Sequence, residues 1–395
     1  MTENLFAPDQ RRTLVLKRGK ERLAANRHPW IFAGAIHRES GPPDAAIADL
    51  VDPDGTAIAS GFYSQHSQIR LRALTFQGEP LTEAKIEARI VAAIARRRAI
   101  FDETTNAARL IHAEGDDLSG LVVDRYDDVL VVEIANAGLD RLRGLVERVL
   151  RRELAPRGIY FKNDLPARKL EQLSTESEWR GEGEPVAEIR EHGLRFHVEA
   201  HEGQKTGFFL DQRDNRRFAR SIAGGRATLN LFGYTGAFGV YAAAGGASRV
   251  LNVDISGRAI ELARLNHELN GLPGEFAVAD VFSFVREQQR EQFDLVICDP
   301  PAFAKSRHEI DRAARGYKDI NLYSIRLAKP GGFVMTYSCS GHMSIDLFQK
   351  VVFAAALDTG RRVSFLQRLT AGADHPVSLY CPEGEYLKGF LLQVH

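Results

Sequence analysis

Two short loops hold the side chains most able to do chemistry together. Cys339 lies in Ser338-Cys339-Ser340-Gly341, just past the run Phe333 to Tyr337. That run is entered through Pro330-Gly331-Gly332 and reads as a strand. Asp299-Pro300-Pro301-Ala302-Phe303 follows a second strand-like run, Phe293 to Cys298. In open α/β sheets ligands sit beyond the carboxyl ends of strands, so the thiol and the carboxylate are expected in one crevice. The plain alternative for a lone cysteine is a small buried hydrophobe. Two prolines lock φ and remove two N–H donors, so this turn presents its carbonyls and Asp299 as acceptors. Such a turn suits a nucleobase that shows N–H groups, with Phe303 placed to stack on it. A thiol beside that site selects a mechanism. Cytosine C5 is a poor nucleophile until a thiolate adds to C6 and pushes electron density onto C5. Asp299 would hold N3 or N4, and the base that removes the C5 proton is not identified by the sequence.

A second set of residues outlines a nucleoside crevice. Asn230 to Gly239, NLFGYTGAFG, is a strand running into a glycine-rich turn that opens a helix. The next strand ends at Asp254, where an acid can accept from ribose hydroxyls, and the next again ends at Asp280, which could receive an adenine amine. The spacing is GxxGxxG, so nothing asks for a dinucleotide pyrophosphate. S-adenosylmethionine needs the ribose acid but no phosphate cradle and suits this loop better. The alternative is that Asp254 is a helix N-terminal acid and the glycines a bare turn.

These residues need a frame, and the chain supplies one. From residue 189 strands alternate with helices: strand 227–232, helix 237–244, strand 250–254, helix 257–270, strand 275–278, helix 281–288, strand 293–298, helix 320–328, strand 333–337 and helix 345–357. This pattern predicts a Rossmann-like, doubly wound parallel sheet, closed by an antiparallel pair at 363–368 and 386–394. Residues 1–74 read as a β-rich domain and 75–188 as a central α+β domain. The latter opens on a helix over 81–101 and ends in STESEWRGEGEP (174–185), expected to be a linker or long loop.

At 395 residues two or three domains can each bury a core. The N-terminus has no apolar segment of a secretory signal, and no run of about 18 apolar residues spans a membrane. Cys298, Cys339 and Cys381 are too far apart for a CxxC metal site, so no metal is expected, and free thiols fit a reducing cytoplasm. A net charge of zero argues against coating nucleic acid by bulk electrostatics but permits a local basic face. Arg11, Arg12, Lys17, Arg18, Lys20, Arg22 and Arg27 cluster beside Trp30, a pairing that suits RNA as well as it suits an aromatic core patch. Arg96, Arg97 and Arg98 are expected as a solvated helix end.

The sequence resembles the bacterial 23S rRNA cytosine-5 methyltransferases with an N-terminal PUA domain, the large subunit methyltransferase I group. The resemblance runs through RHPWIF (27–32), EGDDLSGLVVDRY (114–126), GQKTGFFLDQRDNR (203–216), NLFGYTGAFG (230–239), CDPPAF (298–303), RGYKDIN (315–321) and YSCSGHMSIDLFQK (337–350). It implies a PUA-like domain, a central domain and a class I S-adenosylmethionine-dependent methyltransferase domain. Cys339 then matches the nucleophile and Asp299 the base-holding acid. Phe232, Tyr234, Gly236, Asp254 and Asp280 match the cofactor positions, with Gln212 and Arg213 at the methionine end, and Asp299 is expected to contact the cofactor as well. Phe303, Arg27 and Trp30 are the expected substrate contacts. The implied partner is 23S rRNA or an assembling large ribosomal subunit, and a homodimer stays among the open alternatives. One departure is that Ala302-Phe303-Ala304 lacks a second, product-releasing cysteine, while Cys298 is an extra thiol expected to pack. Competing readings are methylation of an exocyclic amine through DPPAF, a non-catalytic assembly factor and, weakest, a nicotinamide oxidoreductase.

Overall fold

The computed structural model describes residues 4–203, 205–304 and 306–395; Gln204 of the GQKTGFF stretch lies outside these. The chain packs as two compact units. One comprises Met1–Ala187, Val198–Phe208 and Asp374–Gly384, and the other Glu188–His197, Phe209–Ala373 and Glu385–His395.

The first unit begins with a six-stranded sheet of order β2-β6-β5-β4-β1-β3. Its strands are β1 (Arg12–Leu16), β2 (Trp30–Phe32), β3 (Ile36–Ser40), β4 (Ile47–Val51), β5 (Ala57–Tyr63) and β6 (Ile69–Phe76), with a short turn of helix, α1 (Arg22–Ala25), after β1. β5 escapes sequence patterning because it is bulged at Gly61. A Cβ there would lie 2.0 Å from the Arg72 carbonyl, so only glycine permits the close approach of β6.

Helix α2 (Glu83–Arg96), capped by Thr82, turns Ile86, Ile90, Ala93 and Ile94 inward. After it come β7 (Ala107–His112), β8 (Leu121–Tyr126), β9 (Val129–Ile134), α3 (Ala137–Asp140), α4 (Arg143–Leu154), β10 (Gly158–Phe161), α5 (Pro166–Leu170) and β11 (Glu178–Gly181). They build a five-stranded sheet of order β11-β10-β9-β8-β7. Ile47, Phe62 and Leu74 of the first sheet share one core with Ile86, Ile90, Val123, Val132 and Val146. By packing, then, the division falls near residue 188 and not near 74; limits at 1–74, 75–188 and 189–395 remain a proposal about modules.

Two expectations fail here. The stretch 174–185 is not a free linker, because β11 pairs with β10 and the Trp179 ring covers Gly158, where a Cβ would lie 2.1 Å from it. The Arg96 to Arg98 cluster is not wholly solvated. Arg97 is buried and bidentate on Asp116 at 2.7 and 2.6 Å, and also donates to the Asp374 carbonyl at 3.1 Å.

The second unit has at its centre a seven-stranded sheet of order β16-β15-β14-β17-β18-β20-β19. A hairpin, β12 (Val186–Glu191) and β13 (Leu194–Glu199), precedes α6 (Arg213–Ile222). Then follow β14 (Ala227–Leu231), α7 (Ala237–Ala244), β15 (Arg249–Asp254), α8 (Gly257–Leu269), β16 (Glu275–Val278), α9 (Val281–Glu287), β17 (Phe293–Cys298), α10 (Ile310–Leu327), β18 (Ala328–Ser338), α11 (Ile345–Thr359), β19 (Val363–Leu369) and β20 (Lys388–Val394). Five strands run parallel and β20 is antiparallel to both neighbours, as the sequence pattern predicts. Helix α10 starts well before the expected 320, since Ala313 and Tyr317 extend its buried face. Among the described residues no helix is long and apolar enough to cross a membrane.

Removing one partner of a buried ion pair leaves the other charged and desolvated. Asp116→Ala should therefore cost about 3 kcal/mol of stability, read by chemical denaturation. Arg18→Ala, whose 3.5 Å pair with Asp54 is exposed, should cost less than about 1 kcal/mol.

Candidate active site

Parallel pairing of β17 with β18 sets Cys298 opposite Thr336, so the chain leaves both strands at one edge of the sheet. Asp299 and Cys339 emerge there, both half-buried. The Cys339 Sγ lies 3.6 Å from the Pro300 carbonyl, the acceptor that the double-proline turn leaves free. Asp299 accepts from the Gln212 side chain at 2.9 Å, and Gln212 in turn accepts from Asn215 at 2.6 Å. Ser340 ties the two loops: its hydroxyl accepts from the Ala304 amide at 3.2 Å and shares a hydrogen bond of 2.9 Å with the Tyr317 hydroxyl. Burial pushes the Tyr317 pKa up, which keeps that hydroxyl protonated. Phe303 packs on Tyr317 with ring centroids 4.6 Å apart, and Gly316 makes room, since a Cβ there would lie 3.3 Å from the Phe303 ring. The expected neighbour Cys298 is fully buried, and desolvation pushes its thiol up to about 12, so it packs.

The adjacent half is built on the turn after β14. Phe232 and Tyr234 hold left-handed backbones, φ 56° and 46°, which non-glycine residues rarely adopt. Gly236 has φ 75°, and a Cβ there would meet Ala263 Cβ at 2.7 Å. The carboxylate of Asp254 fixes this turn by accepting from the Tyr234 amide at 2.9 Å and from the Ser256 amide at 2.9 Å. Asp280 caps α9, accepting from the Ser283 amide at 2.9 Å, and remains exposed. Phe232 lies 6.2 Å from Phe282 and 6.5 Å from Phe303, so one aromatic wall runs between this turn and the Asp299 loop.

The whole chain has close relatives. A family profile for S-adenosylmethionine-dependent methyltransferases matches residues 109–376, and one for PUA-like domains matches 14–76. Proteins named ribosomal RNA large subunit methyltransferase I are similar along nearly their full length. The Shewanella denitrificans protein is 41% identical over 393 residues, covering 96% of this chain and 99% of its own. The Photobacterium profundum protein is 42% identical over 393 residues, covering 97% and 99%. The chain belongs to this methyltransferase family. Solved structures share the fold: a chain described as a methyltransferase and complexed with SAH has a TM-score of 0.83 at 21% identity, covering 97% of this chain and all of that one. A chain from Streptococcus mutans described as a SAM-dependent methyltransferase gives 0.81 at 22%, with the same coverage.

As in the family, S-adenosylmethionine is the cofactor, and the residues fit it. The left-handed turn at 232–236 opens its backbone to a ligand, and Asp254 keeps lone pairs beyond the two it spends on amides. Arg213, expected at the methionine end, is buried 3.6 Å from Glu191, which is also bidentate on Arg216 at 2.8 and 2.7 Å. Gln212, expected there too, holds Asp299.

In the first unit Arg27 is exposed and, with Arg89, Glu114 and Tyr380, lines a cavity of about 330 Å³. Trp30 donates to Glu114 at 2.9 Å. Of the nearby basic cluster, Arg11 is taken up by Asp49 at 2.5 Å and Arg12 by Glu39 at 3.0 Å. His28, Cys381 and Glu383 have metal-type ligand atoms within 4.8 Å of one another. His28 Nδ1 accepts from the Trp30 amide at 3.0 Å, so Nε2 carries the proton that faces Glu383, and the trio is a hydrogen-bonded cluster.

Sequence reading missed Ser340, Lys388 and Phe282 as site residues. The one available signal was Lys388, a cation inside the apolar run Tyr386 to Val394. If Asp254 accepts from the ribose as expected, Asp254→Ala should weaken S-adenosylmethionine binding by at least about tenfold in calorimetry, and it also frees the Tyr234 turn. Cys339→Ala, outside that pocket, should bind it normally.

Proposed function

We propose that this protein forms 5-methylcytosine at one position of 23S rRNA in the cytoplasm, through a covalent bond between Cys339 and cytosine C6. The observation that carries the reading is Cys339 Sγ, half-buried and 3.6 Å from the Pro300 carbonyl, in the loop beside Asp299. The relatives' name, a large subunit rRNA methyltransferase, supports the substrate class, and either free 23S rRNA or an assembling large subunit supplies it.

The Cys339 thiolate adds to C6, and the C5–C6 double-bond electrons become available at C5. Asp299, oriented by Gln212, accepts from the N4 amine at the ring edge and holds the ring with the face of C6 toward the sulfur. Phe303, braced by Tyr317, offers a stacking face. Bound S-adenosylmethionine supplies a methyl on a positively charged sulfur, which C5 takes as the sulfonium becomes a neutral thioether. A base then takes the C5 proton, the C5–C6 double bond re-forms, and the bond to Cys339 breaks to return the thiolate. Arg27 and Trp30, in the first unit, are assigned to RNA contact.

Cys339→Ala should abolish 5-methylcytosine in nucleoside mass spectrometry of rRNA from cells lacking the native protein. Full methylation by that variant sinks the covalent route, and methylated guanine or adenine in its place supports the amine-methylating alternative. RNA bearing 5-fluorocytosine should trap a Cys339-linked adduct, because fluorine cannot leave as the proton does.

A further inference from the structure

Cys339 has a carboxylate-bearing loop against it. A negative charge nearby disfavours ionisation of a thiol, and partial burial does the same. A nucleophile placed this way needs a compensating cation.

β20 supplies one. Lys388, its first residue, pairs across the antiparallel ladder with Ser338, the last residue of β18 and the one before Cys339. Its side chain is 3% exposed, and Nζ donates to the Ser340 carbonyl at 2.8 Å. The lysine is thus attached to the backbone on both sides of the cysteine. Among the described residues no carboxylate pairs with it, although a buried ammonium is costly without a counter-charge. Lysine is among the residues least often fully buried, and its site here is the strand end nearest the thiol.

We propose that Lys388 is a positioning residue that holds Cys339 as its thiolate and fixes the Cys339–Ser340 turn against the Asp299 loop. The proposal rests on Cys339 being the nucleophile. The direction of the coupling supports it: burial pulls the Lys388 pKa down while Cys339 pulls it up, and Glu385 adds a smaller upward pull. Coupling between two sites is reciprocal, so an ammonium stabilised by the thiolate stabilises the thiolate equally. Among the described residues, two other titratable groups near the sulfur do not favour ionisation. Asp299, on the loop after β17, is an anion, and Tyr317, on α10, is a protonated phenol whose pKa is raised mainly by burial. The antiparallel C-terminal strand therefore does more than close the sheet; it delivers a buried cation to this cluster.

The test reads the thiol directly. The rate of Cys339 alkylation by iodoacetamide is measured against pH in the full chain, with peptide mass spectrometry separating it from Cys298 and Cys381. Lys388→Gln retains a donor for the Ser340 carbonyl but no charge. It should raise the alkylation midpoint by about one unit and slow alkylation at pH 7 about tenfold. Lys388→Met should give the same rise, and Lys388→Arg should restore the native midpoint. Methylation by Lys388→Gln should be slow at neutral pH and recover as pH rises. A folded Gln or Met variant with an unchanged midpoint overturns the proposal, as does an Arg variant with the full rise. If Gln and Met both fail to fold, the Arg variant decides by itself. Failure of the cytosine-C5 reading looks different: Cys339→Ala would still methylate RNA while the midpoint shift at position 388 persisted.

Discussion

The backbone pairing of β17 with β18 is the constraint on which the site depends. Parallel neighbours end at the same edge of a sheet, and their register, Cys298 against Thr336, decides that Asp299 and Cys339 leave it side by side. A parallel connection also needs a long crossover, and here it is α10. That helix returns the chain to the sheet and, on its buried face, carries Tyr317 to Ser340 and Phe303. The connection that makes the pairing possible thus furnishes the brace that holds the two loops in register.

Around this edge the structure manages charge at close quarters. Gln212 neutralises none of the Asp299 charge but orients the carboxylate. Behind it, Glu191 is fully buried between Arg213 and Arg216 and also accepts from the Tyr241 hydroxyl at 3.0 Å. Such a network is worth little against water when complete but is costly to leave incomplete, so it fixes α6 and hence the place of Gln212. Among the described residues no carboxylate pairs with Lys388, and its position beside the cysteine is the asymmetry that the proposed thiolate would resolve.

The cofactor turn shows a different use of constraint. Phe232 and Tyr234 both adopt left-handed backbones without the freedom of glycine, and each such residue costs of order 1 kcal/mol. The Asp254 carboxylate holds the turn through the Tyr234 amide, and Gly233 donates to the Val253 carbonyl at 3.0 Å. Hydrogen bonds to the Tyr234 and Gly233 amides thus hold this strained turn in place.

Much of the methyltransferase unit was legible in the residue order. Strand 275–278, strand 293–298 and helix 237–244 were read at their observed limits, and strand 293–298 shows why: a parallel strand buried on both faces is a short apolar run between helical periods. Cys339, Asp299 and Asp254 could be singled out for the same reason: a strand end marks where a sheet meets its ligand. Other features escaped, each because its stabilising partner is distant in sequence. Residues 178–181 become a strand only when Trp179 finds Gly158, Arg97 is buried only when Asp116 meets it, and Lys388 belongs to the thiol only through its ladder partner Ser338. Local pattern determined the alternation of strands and helices and the loops that bear reactive groups. Tertiary structure decided which charges those groups face, because an electrostatic environment is set by separation in space, and the chain brings these residues together only on folding.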